Sequence, residues 1–266
     1  FDMGTTQYST GAAAARAVLT GTRGWTINDG GMAPRTTLFS INTANISTGS
    51  SNDQSFALPL VAAGTYNFEV AWGDGSSSTI TAYNQPEVVH LYAATGTYTL
   101  QIIGTITGWS FNAGGDKLKV LNISKWGPLV IGAAGETGCF SGCSNLTISA
   151  GVLAGSPVTP DTTSLFACFV DCTSLNSTNV STWDVSTVQD ISYMFRNCSS
   201  FNVDMSSWDT SAVESMINTF ERCSSFNNGD PSNAGAVPFT WNTDAVIDMS
   251  NMFIYCTAFN QTITLA

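Results

Sequence analysis

The second half of the chain is a repeat, and the repeat restricts the possible folds more than any other feature. Phe-x-x-Cys occurs five times, at Phe140/Cys143, Phe169/Cys172, Phe195/Cys198, Phe220/Cys223 and Phe253/Cys256. Each Cys is followed by Ser or Thr, a variable residue, and Leu or Phe. The last four copies then add Asn176, Asn202, Asn227 or Asn260. From Phe to Phe the steps are 29, 26, 25 and 33 residues. A period in this range marks stacked units that cannot bury their apolar faces singly and must do so against their neighbours.

Inside a copy the apolar residues have helical spacing. Val188, Ile191, Met194, Phe195 and Cys198 are set at offsets of 3, 6, 7 and 10, and Val246, Met249, Met252, Phe253 and Cys256 repeat them. Such offsets place side chains on one face of a short helix. The first copy fits worst, with Glu136 in an apolar slot, and is read as an atypical terminal repeat. The segment after each Cys, as in Phe201-Asn202-Val203-Asp204-Met205, alternates and predicts a strand. Trp183, Trp208 and Trp241 follow, with Asp184, Asp209 and Asn242 next to them at predicted helix N-caps. Residues 227–238 are an insertion rich in Gly, Asn, Asp and Pro, and insertions of this kind form loops on one face.

Only 10% of the residues are charged, and the net charge is −11. Residues 127–266 carry twelve acids against Arg196 and Arg222, so nearly all of the negative charge lies on the repeats. An acidic surface repels phosphate backbones and argues against nucleic acid as a partner. No run of about 18 apolar residues is present, so membrane insertion by a helix is not expected. The chain opens on Phe1-Asp2-Met3 without a signal peptide and closes within a repeat copy, which reads as an excised or mature piece.

Cys139, Cys143, Cys168 and Cys172 form two C-x3-C pairs, the spacing of a zinc site. The repeat offers a simpler account. Cys139 and Cys168 occupy the slot held by Met194 and Met252, and a slot shared with Met is a core slot. Buried free thiols are therefore expected, with a Cys139–Cys168 disulfide and a metal site as competing readings.

Residues 36–108 differ in kind. Short alternating runs at 38–42, 55–60, 66–72, 78–82, 88–92 and 98–103 are separated by turn residues and predict an antiparallel sandwich. His90, the single histidine, is expected to be structural. Asp74 in Trp72-Gly73-Asp74-Gly75 is expected to fix its turn, with calcium binding through loop oxygens as the alternative. Near the start, residues 12–19 predict a short helix and 24–31 a strand and turn.

Two resemblances follow. Val-x-x-Met-x-x-Met-Phe-x-x-Cys-x-x-Phe-Asn with Ser-x-Trp-Asp-x-Ser, across roughly 118–266, resembles the BspA-like leucine-rich repeat family of bacterial surface proteins. Trp72-Gly73-Asp74-Gly75 with His90-x-Tyr92-x-x-x-Gly96-x-Tyr98 resembles a polycystic-kidney-disease-type (PKD-like) domain. They imply a mixed α and β fold class: an immunoglobulin-like antiparallel β-sandwich followed by a short BspA-type right-handed solenoid. The expected domains are 1–35 (a partial repeat-like coil, similar to the closing coil of an upstream array), 36–108 and 109–266.

The resemblance also implies a non-enzymatic extracellular adhesin segment, at a cell or virion surface. Its partner would be a host or neighbouring-cell surface protein or glycan. The alternative is a structural subunit of an extracellular filament or a virion fibre or decoration protein, with copies associating end to end. The expected ligand contacts are Asn202, Asp204, Ser206, Asn228 and Asp230. No catalytic residues, metal site or cofactor other than the calcium alternative are expected.

Overall fold

The computed structural model describes residues 16–23, 26, 35–149, 156–232, 235 and 237–264. The chain divides into two compact units, Phe1–Thr36 and Thr37–Ala266. Of the first unit, the described part is chiefly a π-helical turn at Val18–Thr22, which Arg23 closes by donating its N–H to the Val18 carbonyl at 3.1 Å. The rest of the predicted 12–19 helix, and 24–31 apart from Thr26, lie outside the described residues.

The strands are β1 (Thr36–Asn42), β2 (Ser55–Ala57), β3 (Tyr66–Ala71), β4 (Ser77–Ile80), β5 (Val89–Leu91), β6 (Thr97–Ile106), β7 (Val120–Lys125) and β8 (Thr147–Ile148). Strict alternation in β1 and β3 turns Phe39, Ile41, Tyr66, Phe68 and Val70 inward and leaves Asn67 and Glu69 in water. One six-stranded sheet has the order β4-β3-β6-β1-β7-β8, and β2 pairs with β5 separately. β7 lies antiparallel to β1, while β8 lies parallel to β7. The sheet therefore continues past residue 108 into the start of the repeats, and a single apolar core runs from Phe39 to Met252.

The expected fold class is overturned. The structure is predominantly β, with one mixed six-stranded sheet instead of a separate antiparallel sandwich followed by a mixed α and β leucine-rich solenoid. Helix content is low, and among the described residues no copy of the repeat forms an α-helix.

The reason is in the backbone hydrogen bonds. A helix would send each N–H to a carbonyl four residues earlier. Here alternate N–H groups point to the next copy. Leu165, Ala167, Phe169 and Asp171 donate to Asp190, Ser192, Met194 and Arg196 at 2.8 to 2.9 Å. Ile191, Tyr193, Phe195 and Asn197 repeat this toward Ser215, Ile217, Thr219 and Glu221. The intervening residues make tight four-residue turns, such as that closed by Cys172 N–H on the Phe169 carbonyl at 3.1 Å. To sustain this, the residues two before and two after each Phe adopt positive φ: Tyr193 at 59° and Asn197 at 60°, Asn218 at 55° and Arg222 at 60°. The first copy places Gly138 and Gly142 at these positions, the residue type that tolerates them best. Isolated parallel bridges link Ser164, Asp190, Ser215 and Asp248 in succession.

Candidate functional site

Each recurrent side chain is used within the stack. Phe140, Phe169, Phe195, Phe220 and Phe253 form a column of near-parallel rings with centroids 5.6, 6.0, 5.6 and 5.7 Å apart. Phe201, Phe226 and Phe259 form a second column at 6.0 and 5.8 Å. Ring separations in this range suit offset stacking.

The cysteines are all free. Cys172, Cys198, Cys223 and Cys256 each donate S–H to the carbonyl of the preceding copy's Phe, at 3.1, 3.0, 2.8 and 2.8 Å. Burial pushes the thiols of Cys143, Cys168, Cys172, Cys198 and Cys223 well above their ordinary pKa, and that of half-buried Cys256 to about 12. A thiol so held is a poor nucleophile and a poor metal ligand. Among the described residues, no group of three or more His, Cys, Asp or Glu side chains is placed to hold a metal ion.

The asparagines form a ladder. Asn176 Oδ1 accepts the Asn202 N–H at 3.0 Å, Asn202 Oδ1 accepts that of Asn227 at 2.9 Å, and Asn227 Oδ1 accepts that of Asn260 at 3.0 Å. The three recurrent repeat tryptophans are buried, and each of their indole N–H groups has a partner: Trp183 on Asn179 Oδ1 at 3.0 Å, Trp208 on the Val180 carbonyl at 3.0 Å, Trp241 on the Met205 carbonyl at 2.9 Å. Asp184 and Asp209, predicted as helix caps, instead close short turns by accepting from the N–H and hydroxyl of Ser186 and Ser211. Those bonds hold both carboxyls below the usual range.

The five predicted ligand contacts share one edge, around the insertion, but differ in what they present. Asp204 is exposed, and Ser206 is half-buried beside it. Asn202 is half-buried, and its Oδ1 accepts the N–H of both Asn227 and Gly229, each at 2.9 Å. Asn228 and Asp230 are buried. Asn228 accepts the Met205 N–H at 2.9 Å and donates to Ser206 Oγ and to the Val237 carbonyl. Asp230 accepts from Ser232 and from Gln261 Nε2, the latter at 3.1 Å. The insertion is thus pinned to the stack by its own polar side chains, and of these five residues Asp204 projects furthest into solvent.

In the sheet region His90 stacks on Trp72 with centroids 4.6 Å apart, and its Nε2 is 2.8 Å from Asp74 Oδ2. Burial pushes the Asp74 carboxyl up, but hydrogen bonds from Ser76 and His90 outweigh this and hold it at about 2. Its oxygens are occupied by the turn and by His90. Two features without a sequence signal complete the picture. Lys119 and Asp116 form a fully buried pair at 3.1 Å, with Lys119 Nζ also donating to the carbonyls of Ser51, Asn52 and Ser55. On the outside of the stack, Glu221 lies between Arg196 at 2.6 Å and Arg222 at 3.3 Å. Both repeat-region bases are therefore used locally, and the exposed acids Asp161, Asp184, Asp204, Asp209, Glu214 and Asp244 face water without them.

The fifth copy carries a groove of about 320 Å³, lined by Phe239, Trp241, Met249, Phe253, Ile254 and Ile263. Here Phe253 is only partly buried, unlike its four counterparts.

Residues 163–265, which hold the second to fifth copies, match the family described as Mycoplasma protein of unknown function, DUF285. No curated protein and no solved structure matches the chain.

Proposed function

We propose that this chain is a segment of a non-enzymatic extracellular surface protein, a modular adhesin that attaches to a protein, glycan or cell surface. One observation carries the reading: the recurrent Phe, Cys, Asn and Trp side chains are spent on joining one copy to the next. What remains outside that set is an exposed face that varies from copy to copy, including Asp204 and the single slot filled by Gln189, Glu214 and Ile247. A scaffold that commits its chemistry to its own cohesion and varies its outer face is suited to display. The single histidine is held by Asp74 and Trp72, and the buried thiols are turned to carbonyls, so neither offers an activated nucleophile. The resemblance of the repeats to BspA-like surface proteins supports the same reading.

The test is binding of the labelled chain to immobilised glycans, to matrix proteins and to intact cells. Saturable binding that weakens at high salt, as an acidic contact surface requires, is the expected result. Silence on every surface, or turnover of a substrate, would overturn the reading. The alternative, a structural subunit of a filament or virion fibre, is favoured by the open groove on the fifth copy, and ordered polymers under the electron microscope would establish it.

A further inference from the structure

We propose that Cys139 and Cys168 are the one pair among the seven cysteines that closes into a disulfide when the chain folds beside a small-molecule disulfide oxidant, stapling the first copy of the repeat to the second. Both thiols are free and fully buried in the structure. The backbone brings them together. Gly138 donates its N–H to the Phe166 carbonyl at 3.0 Å, and Phe140 donates to the Cys168 carbonyl at 2.7 Å. These bonds bracket Cys139 and set it beside Cys168. Segments paired in this way run about 4.8 Å apart, inside the Cα separation of about 4.4–6.8 Å that a disulfide requires. The neighbouring slot has the same register, with the Phe140 and Phe169 rings stacked 5.6 Å apart and within 5° of parallel.

The sulfurs separate this pair from the others. Cys172, Cys198, Cys223 and Cys256 each follow a cysteine one copy earlier, but each aims its S–H at backbone, the preceding copy's Phe carbonyl, at 2.8 to 3.1 Å. Cys168 instead has the Cys139 side chain as its hydrogen-bond partner. In later copies this slot holds Met194, Thr219 and Met252, so two thiols meet in it only once. The location gives the link a task. The first copy is where the stack meets the sheet region, through the Phe111 N–H on the Cys139 carbonyl at 3.1 Å. A covalent tie at this joint keeps the second copy in place when the hydrogen bonds between copies open.

The chemistry is two thiol–disulfide exchanges. The Cys139 thiolate attacks one sulfur of the oxidant and expels the other half as a thiolate, which takes up the proton that Cys139 gave up. The Cys168 thiolate then attacks the Cys139 sulfur and expels the second half in the same way. Two protein thiols are oxidised, and one oxidant disulfide is reduced to two thiols. Burial keeps the oxidant from the folded pair and pushes the Cys168 thiol well above its ordinary pKa, so the link forms before the core closes. A chain that binds no cell would still form it.

The test is to unfold the full chain in urea, refold it with glutathione disulfide, block the remaining thiols with iodoacetamide in urea, and digest with chymotrypsin. Cleavage after Phe140 and Phe169 separates Cys139 from Cys143 and Cys168 from Cys172. Mass spectrometry should find Cys139 linked to Cys168 and the other five thiols alkylated. Dithiothreitol should open the link at least about tenfold more slowly in the folded chain than in urea. Cys168→Met, which puts in this slot the residue that two later copies hold there, should fold without a link in it. Recovery of the native circular dichroism with seven free thiols would overturn the proposal. So would another pair linked as often as this one, or a link that forms only with loss of the native spectrum.

Discussion

Replacing Phe195 by Ala removes the middle ring of the column, and the structure indicates the cost. The ring is fully buried, stacked between Phe169 at 6.0 Å and Phe220 at 5.6 Å, and lies 4.3 Å from Phe201. Truncation removes roughly 100 Å² of apolar surface from burial, about 2.5 kcal/mol at about 25 cal/mol per Å². Two inter-copy stacks add about 1 kcal/mol each, so the total is about 4.5 kcal/mol, within the range for Phe→Ala in a core. Phe253→Ala at the partly buried edge loses its in-column stack with Phe220 and the longer contact with Phe226, both on the same side, and less buried surface, and should cost about half as much. Urea unfolding of the two variants and the parent measures both. A double-mutant cycle over Phe195 and Phe220 should show a coupling of about 0.5–1.5 kcal/mol. A Phe195→Ala cost below about 1.5 kcal/mol, or one equal to that of Phe253→Ala, would mean that the column does not hold the copies together.

Lys119→Met should destabilise the chain by about 3–5 kcal/mol, because it strands the Asp116 carboxylate in the core; a loss under about 1 kcal/mol in chemical denaturation would contradict the buried pair. Native thiol titration at pH 8 should find the buried cysteines unreactive until denaturant is added, so fast labelling of Cys198 or Cys223 would contradict the S–H to carbonyl contacts. The carboxyls of Asp74, Asp184, Asp209, Asp248 and Glu221 are all held below their ordinary range when folded. Groups of this sign stabilise the fold above the unfolded-state pKa, and that contribution is lost as pH falls through the folded values. Stability should therefore decline from about pH 4 toward pH 2, and Asp74→Asn should flatten the decline; a thermal-melt profile without any slope in that window would refute it.

The strands of the sheet region lie where alternation and turn residues put them: β1 to β6 begin within two residues of the six predicted runs. Inward placement of the recurrent Phe and Cys was also legible, because a slot filled by Cys, Met and Thr in different copies tolerates apolar variety and little else. The predicted helices failed for a specific reason. Consecutive turns whose bonds join residues three apart advance an apolar side chain every three or four positions, as a helix does, so Ile191, Met194, Phe195 and Cys198 satisfy both patterns. The distinguishing signal was the first copy, set aside as irregular. Its Gly138 and Gly142 occupy the two positions where φ is positive, and Asn197, Asn218 and Asn251 occupy those positions in later copies. Among the predicted ligand contacts, Asn202, Asn228 and Asp230 were polar and in or next to a loop, which does not reveal that distant backbone N–H groups claim the oxygens of Asn202 and Asn228, or that Ser232 and the Gln261 side chain claim those of Asp230.

The amino-acid sequence alone determines that the second half is a repeat, which side chains recur toward the interior, and that the outer surface is acidic. Only the tertiary structure decides how the backbone runs within a copy and that β7 and β8 join the repeats to the sheet. The physical reason is that side-chain periodicity records which face is buried, whereas the backbone conformation follows from where each N–H finds its acceptor. In this protein many of those acceptors lie about 25 residues away, in the neighbouring copy.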